Sequence, residues 1–261
     1  MTMYRPAASF TTDARYGRVS SVQSLFRRAR KLEENYRTQL RKIARHIGDI
    51  ARAHDAESPD GIRRIQSGMM SYAQRIDPWA DSVADRMIKE IAAADKDSWR
   101  RTSHLIGRLL HKEIETAPSG IVMQQSLQRQ VGLIKSLPIE AAERVHKLTT
   151  EASTTGRRTA EIVKDIMASG DVARSRADLI ARTEVSRTAT ELTQARATHV
   201  GSTHFIWNCV LDGSTRASHR ALNGHTFRWD QPPECDPGYH ALPGAIWNCR
   251  CFPTPIIDEE S

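Results

Sequence analysis

Hydrophobic residues near the start of the chain recur at three- and four-residue steps: Leu25, Ala29, Leu32, Tyr36, Leu40, Ile43, Ile47 and Ile50. That spacing is one stripe along a single helix, predicted from Ser20 for about thirty residues. Arg27, Arg28, Arg30, Lys31, Arg37, Arg41, Lys42 and Arg45 cover much of the remaining surface. A stripe of this kind packs on another helix, in the same chain or in a second copy bound through residues 25–50. The alternative is a basic amphipathic helix lying on a membrane or a nucleic acid.

Punctuation residues divide the chain beyond this helix. Ser58-Pro59-Asp60-Gly61 is a turn and a helix start, with the helix expected to run to about Ile76. Asp77-Pro78 opens another, with Asp77 as N-cap and Pro78 at the first helical position. This one carries Trp79, Val83, Met87, Ile91 and Trp99, and an interruption is expected near Asp95–Asp97. Ala117-Pro118-Ser119-Gly120 and Leu137-Pro138 read as breaks, and Gly156 as a stop. Thr159–Met167 reads as a short helix ending at Ser169-Gly170, and Arg174–Val200 as a longer one. The period then shortens, and His204–Leu211 and His225–Trp229 read as strands. Prolines and glycines dominate from there to Cys249.

The expected fold is mainly α with a small C-terminal α+β module. A flexible arm (1–18) precedes a helical scaffold (19–154), a compact loop-rich domain (155–257) and an acidic tail (258–261).

Composition sharpens this picture. The 261 residues are 39% hydrophobic and 26% charged, which suits long solvated helices better than one deep core. Net charge is +7, unevenly placed. From Trp207 onward there are four Arg and no Lys against seven Asp and Glu, a net −3, leaving +10 for the helical part. A basic half suits a polyanion partner, DNA included, or simply a solvated face. No run of 18 apolar residues exists and Met1–Phe10 lacks an apolar signal region, so no membrane span or secretion is expected. In a reducing cytosol the cysteines should serve as thiols or metal ligands.

The chemistry gathers at the C-terminal end. All four cysteines (Cys209, Cys235, Cys249, Cys251) and three of five tryptophans (Trp207, Trp229, Trp247) lie in the last 55 residues. Leu179-Ile180-Ala181-Arg182-Thr183-Glu184-Val185 stands just upstream. Asp212, Arg216, His219 and Leu222-Asn223-Gly224 come next, then Trp229-Asp230, Pro232-Pro233, Pro243-Gly244 and Asn248-Cys249-Arg250-Cys251. In order and spacing these residues resemble the phage Mu F-like head morphogenesis proteins over about residues 155–257.

The resemblance implies a non-enzymatic, low-copy minor capsid protein of the virion. It would be made in the host cytoplasm and sit at the portal vertex or capsid interior. It would contact portal protein and other head or scaffold proteins, and in some members travel with the DNA. Some toxins place an enzymatic tail after such a domain; with the chain ending at Ser261, none is expected here.

Cys249-Arg250-Cys251 puts two thiols one residue apart, on opposite faces of an extended strand, so both could hold one metal only where the backbone turns. His219, Cys235, Cys249 and Cys251 are the candidate ligands of a structural zinc, with Cys209 and His240 further donors. The alternative is thiols buried as small hydrophobes against Trp207 and Trp247. For Asp212 an N-cap or an ion pair with Arg216 is favoured over a nuclease using Asp212, His219 and His225. Arg182, Thr183 and Glu184 are expected to hold the module's loops through charge-assisted hydrogen bonds. Gly224 should take a positive φ, and Asn248 should bond within its own tight turn.

Overall fold

The computed structural model describes residues 21–105, 111–155 and 158–257. The expected arm, the acidic tail and Gly156 lie outside them. The described elements are α1 (Ser21–Arg52), α2 (Pro59–Arg75), α3 (Asp77–Leu105), α4 (His111–Thr116), α5 (Ser119–Thr155), α6 (Thr159–Met167) and α7 (Ser169–His199). They continue with β1 (His204–Asn208), α8 (Ala217–Leu222), β2 (Thr226–Arg228), β3 (Glu234–Asp236), β4 (Tyr239–His240) and β5 (Phe252–Ile256). The fold is mainly α with a small C-terminal α+β module, as the periodicity predicts.

Two compact units are formed, and neither corresponds to a single cut along the chain. A helical unit comprises Lys31–Glu90 and Gln124–Val185. A mixed unit comprises Met1–Arg30, Ile91–Met123 and Ser186–Ser261.

In the helical unit, Tyr36, Leu40, Ile43 and Ile47 of the α1 stripe are almost fully buried within the single chain. This part of the stripe is therefore a packing face within the chain. Ser58 caps α2 by accepting from the Gly61 N–H at 3.0 Å. Asp77 lies inside the first turn of α3 rather than capping it, and its carboxylate pairs with Lys135 at 2.8 Å.

Pro138 does not break α5. It removes one backbone donor, but Ile134, Leu137, Ala141, Ala142 and Val145 on both sides of it are buried and hold the helix on course. Likewise α7 begins at Ser169, five residues before the predicted start at Arg174. A Cβ on Gly170 would lie 2.9 Å from the Gly48 Cα, so this glycine marks a close backbone approach and not a helix stop.

The half of α7 in this unit buries polar groups. Glu184 is fully buried, and its Oε2 accepts from Arg129 Nε at 2.9 Å and Gln130 Nε2 at 2.7 Å. The Tyr36 hydroxyl donates to Gln130 Oε1 at 2.9 Å. Burial, and then the Glu184 charge, push the Tyr36 hydroxyl far above its ordinary range and keep it a donor.

In the mixed unit β1 is the central strand of an antiparallel sheet ordered β2-β1-β5, and β3 pairs with β4. Strand β5 runs where the local pattern predicts none, because Phe252-Pro253-Thr254-Pro255-Ile256 carries two prolines. At a sheet edge a missing donor costs no ladder bond, and Pro253 and Pro255 stand opposite Trp207 and Phe205. Phe205, Trp207, Trp229, Cys235, Cys249 and Cys251 share one core with Trp99 and Ile114.

The interruption expected at Asp95–Asp97 is absent, since α3 runs through it. Asp95 is fully buried and accepts from Arg196 Nε at 2.6 Å and Thr193 Oγ1 at 3.1 Å. Arg196 also donates to the Ile114 carbonyl. Burial raises the Asp95 carboxyl to about 6, with Arg196 opposing the rise. A raised carboxyl favours the fold at low pH and loses that contribution as pH climbs through about 6; at neutral pH Asp95 is ionised and paired.

Arg196→Met would strand that buried carboxylate and should cost about 3–5 kcal/mol in urea unfolding, while adding Asp95→Leu should restore most of the loss. A single variant within about 0.5 kcal/mol of the parent would show that the pair is not a buried, coupled unit.

Candidate functional site

The site is built on the turns that flank the small sheet. After β1 the chain reverses through Leu211, at φ 53°, and an Asp212 turn. The Asp212 Oδ1 accepts from the Ser214 N–H at 3.1 Å and the Ser214 hydroxyl at 2.9 Å. Helix α8 then presents His219, which is 2% exposed, to the core. Trp207 meets the His219 ring edge-on at 5.5 Å. Gly224, at φ +80°, returns the chain, with its N–H bonded to the Trp207 carbonyl at 2.7 Å, and so supplies the positive φ expected of it.

The second wall comes from Ala245–Cys251. Asn248 adopts φ 59°, which asparagine tolerates better than most residues. The Cys249 N–H bonds the Ile246 carbonyl at 3.1 Å, closing a tight turn. The backbone therefore turns where the Cys-x-Cys spacing requires it to. Cys249 Sγ lies 3.3 Å and Cys251 Sγ 3.6 Å from His219 Nδ1. The donor atoms of these three buried residues all lie within 4.8 Å of one another. Cys209 Sγ is 3.1 Å from Cys251 Sγ and 3.1 Å from the His219 carbonyl.

The cluster is electrostatically polarised. The Cys249 thiol is held down to about 5, chiefly by the hydrogen bond from Cys251 and then by His219, with burial opposing. Cys251 is pushed well up, because it donates to the Cys249 sulfur and because it is buried. Two backbone N–H groups, from Gly244 and Cys251, point at Cys249 Sγ, each at 3.4 Å. On its other side His219 Nε2 makes no hydrogen bond and lies 3.6 Å from the Asp236 carboxylate.

Other expected residues are placed differently. Cys235 is not in the three-ligand group; its Sγ donates to the Tyr239 carbonyl at 3.4 Å, and burial pushes its thiol up. His240 is exposed, with Nδ1 3.2 Å from the Pro232 carbonyl. Asp212 pairs with Arg250 at 2.6 Å and not with Arg216, and the N-cap position of α8 falls to Arg216 itself. Hydrogen bonds from Ser214, above all, hold the Asp212 carboxyl below its ordinary range. Arg216 donates to the Trp247 carbonyl at 2.8 Å, tying α8 to the cysteine turn. Among the described residues, Asp212 and His225 do not join the three-ligand group.

Glu184 and Arg182 bond inside the helical unit, Arg182 to Glu33 at 3.5 Å, and Thr183 is buried. Loops of the module are gripped one and two turns further along α7. Arg187 Nε and its terminal nitrogen donate to the Ala245 carbonyl at 3.0 and 2.7 Å, and the Thr190 hydroxyl to the Pro243 carbonyl at 2.7 Å. Arg187 also stands over the Trp247 ring at 5.8 Å. The sequence signal for this grip is the Thr and Arg spacing that continues along α7 past Glu184.

Comparison with known proteins agrees with the resemblance read from the sequence. Residues 143–253 match the family model described as Phage Mu protein F like protein. That stretch begins inside α5 and ends at the first residues of β5. The stretch similar to that family, less than half of the chain, holds His219, Cys249, Cys251 and the α7 residues that grip their loop. It is also 32% identical over 128 residues to an uncharacterized protein of Haemophilus influenzae, a match that spans 49% of this chain and 28% of that protein. No solved structure matches the chain.

Gly244 sits at φ +85°, and a Cβ there would stand 3.0 Å from both the Cys251 carbonyl and the Thr190 hydroxyl. Gly224 shares the positive φ, but a Cβ would meet nothing within 4 Å. Gly224→Ala should cost about 1 kcal/mol from the backbone alone, and Gly244→Ala clearly more, because it also crowds the cysteine turn. Equal losses in urea unfolding would contradict this account of the turn.

Proposed function

We propose that this chain is a minor head protein that acts in phage head morphogenesis, with its C-terminal module docking on portal protein or another head subunit. The observation that carries this reading is the Mu F-like match over residues 143–253. The module's surface is consistent with it. Leu211, Tyr239 and Trp247 are 58%, 65% and 44% exposed on its turns and its short hairpin, large apolar side chains of the kind that anchor interfaces. Among the described residues no helix is long and apolar enough to cross a membrane. Virion residence belongs to the same reading.

A second contact, with packaged DNA, is favoured by a cleft of about 420 Å³ in the helical unit, lined by Arg41, Arg45, Arg52 and Arg174 with Asp171 as its one acidic side chain. Arg41 is engaged by Asp178 through two 2.7 Å bonds, and Arg52 pairs with Asp49 at 2.6 Å. Arg45 and Arg174 are exposed at its rim.

Tagged chain mixed with purified portal and major capsid proteins should retain portal, and Trp247→Ala should weaken that association at least about tenfold with unchanged melting. Failure to bind any head protein would overturn the docking reading. DNA binding that falls steeply with salt and weakens in Arg45→Ala/Arg174→Ala would support the second contact; salt-insensitive or variant-insensitive binding would remove it.

A further inference from the structure

We propose that Cys209, His219, Cys249 and Cys251 form a structural zinc site at the centre of the C-terminal module. The ligands come from separate segments: the end of β1, the inner face of α8 and the turn that leads into β5. Zinc bonds of about 2.3 Å to sulfur and about 2.0–2.1 Å to nitrogen, at tetrahedral angles, place sulfur about 3.6 Å from nitrogen and about 3.8 Å from sulfur. Cys249 and Cys251 stand 3.3 and 3.6 Å from His219 Nδ1, and Cys209 stands 3.1 Å from Cys251. Cys209 lies outside the group of three whose donor atoms all fall within 4.8 Å of one another, so its thiol must swing in from Cys251 to complete the tetrahedron.

Three further observations point the same way. First, the Gly244 and Cys251 N–H groups aim at Cys249 Sγ, the arrangement a metal-bound thiolate needs because its charge outlasts the loss of its proton. Second, His219 turns Nδ1 toward the sulfurs and leaves Nε2 buried, without a hydrogen bond, 3.6 Å from Asp236 Oδ1. A metal on Nδ1 fixes the proton on Nε2 and gives that carboxylate its role as the histidine's outer partner. Third, the metal answers a structural need. The module has only short strands and a six-residue helix around a handful of aromatic residues, and chains so loop-rich commonly need a staple. Four protein ligands leave no open position, the hallmark of structural zinc rather than catalytic zinc. Cys209, and not Cys235, is the fourth ligand, because its Sγ already stands 3.1 Å from Cys251 Sγ, whereas the Cys235 thiol points to the Tyr239 carbonyl in the β3–β4 hairpin.

The test uses the full chain purified under reducing conditions. Elemental analysis should find about one zinc per chain. Replacement by Co²⁺ should give the intense visible bands of a tetrahedral, thiolate-rich site. Cys209→Ser, Cys249→Ser and His219→Ala should lose the metal or weaken its hold at least about tenfold, while Cys235→Ser retains it. His219→Cys, which keeps four ligands, should retain metal even if the alanine variant fails to fold. Metal-free protein that gives no thiolate–Co²⁺ bands after refolding with Co²⁺ would overturn the proposal. Metal lost in Cys235→Ser but kept in Cys209→Ser would overturn the ligand set. A Cys209–Cys251 disulfide in the reduced protein would do the same.

Discussion

Helix α7 buries polar side chains where most helices bury hydrocarbon, and the structure depends on each of those groups finding a partner. Thr183, Glu184, Thr188, Thr190, Thr193 and Arg196 are all nearly or fully removed from water. An unpaired polar group in such a place costs more than a hydrogen bond returns, so the partners are as constrained as the helix itself. In the helical unit Glu184 organises Arg129, Gln130 and, through Gln130, Tyr36. In the mixed unit Arg196 and Thr193 hold Asp95, while Thr190 and Arg187 hold the backbone of Pro243 and Ala245. Satisfied networks of this kind specify one arrangement where an apolar stripe would allow several.

The last of these contacts leads to the chemistry. Pro243 and Ala245 flank Gly244, whose N–H points at Cys249 Sγ. The polar row of α7 thereby fixes the loop that aims Cys249 and Cys251 at His219. Positive φ at Gly244 and Asn248 gives the turn that two cysteines one residue apart require. The proposed metal site, the Trp247 surface and the grip of Arg187 are consequences of one local geometry, and all fall inside the Mu F-like stretch.

Much of the fold was legible because its signals are periodic. The α1 stripe, the Ser58 cap and the short α6 helix can be derived from spacing and capping chemistry alone. Errors arose where tertiary contact reversed a local rule. Pro138 and Asp95 look like breakers, yet one is carried by buried neighbours and the other by a buried arginine from α7. Pro253 and Pro255 hid β5 because proline's preference for sheet edges is visible only once the sheet order is known. The site was half legible. Residue types and order singled out His219, Cys249 and Cys251, which the fold brings together, whereas the approach of Cys209 to Cys251 shows only once α8 meets the end of β1. The grip of Arg187 and Thr190 on the loop was not legible, since a helix pattern does not say which of its turns meets which loop.

The central claim is that this chain is a component of an assembled phage head. Quantitative mass spectrometry of purified heads, both before and after DNA packaging, tests it most directly. The account predicts the chain in both preparations at a small, reproducible number of copies relative to portal protein. Its absence from heads of both kinds, in cells where it is expressed, would contradict the account.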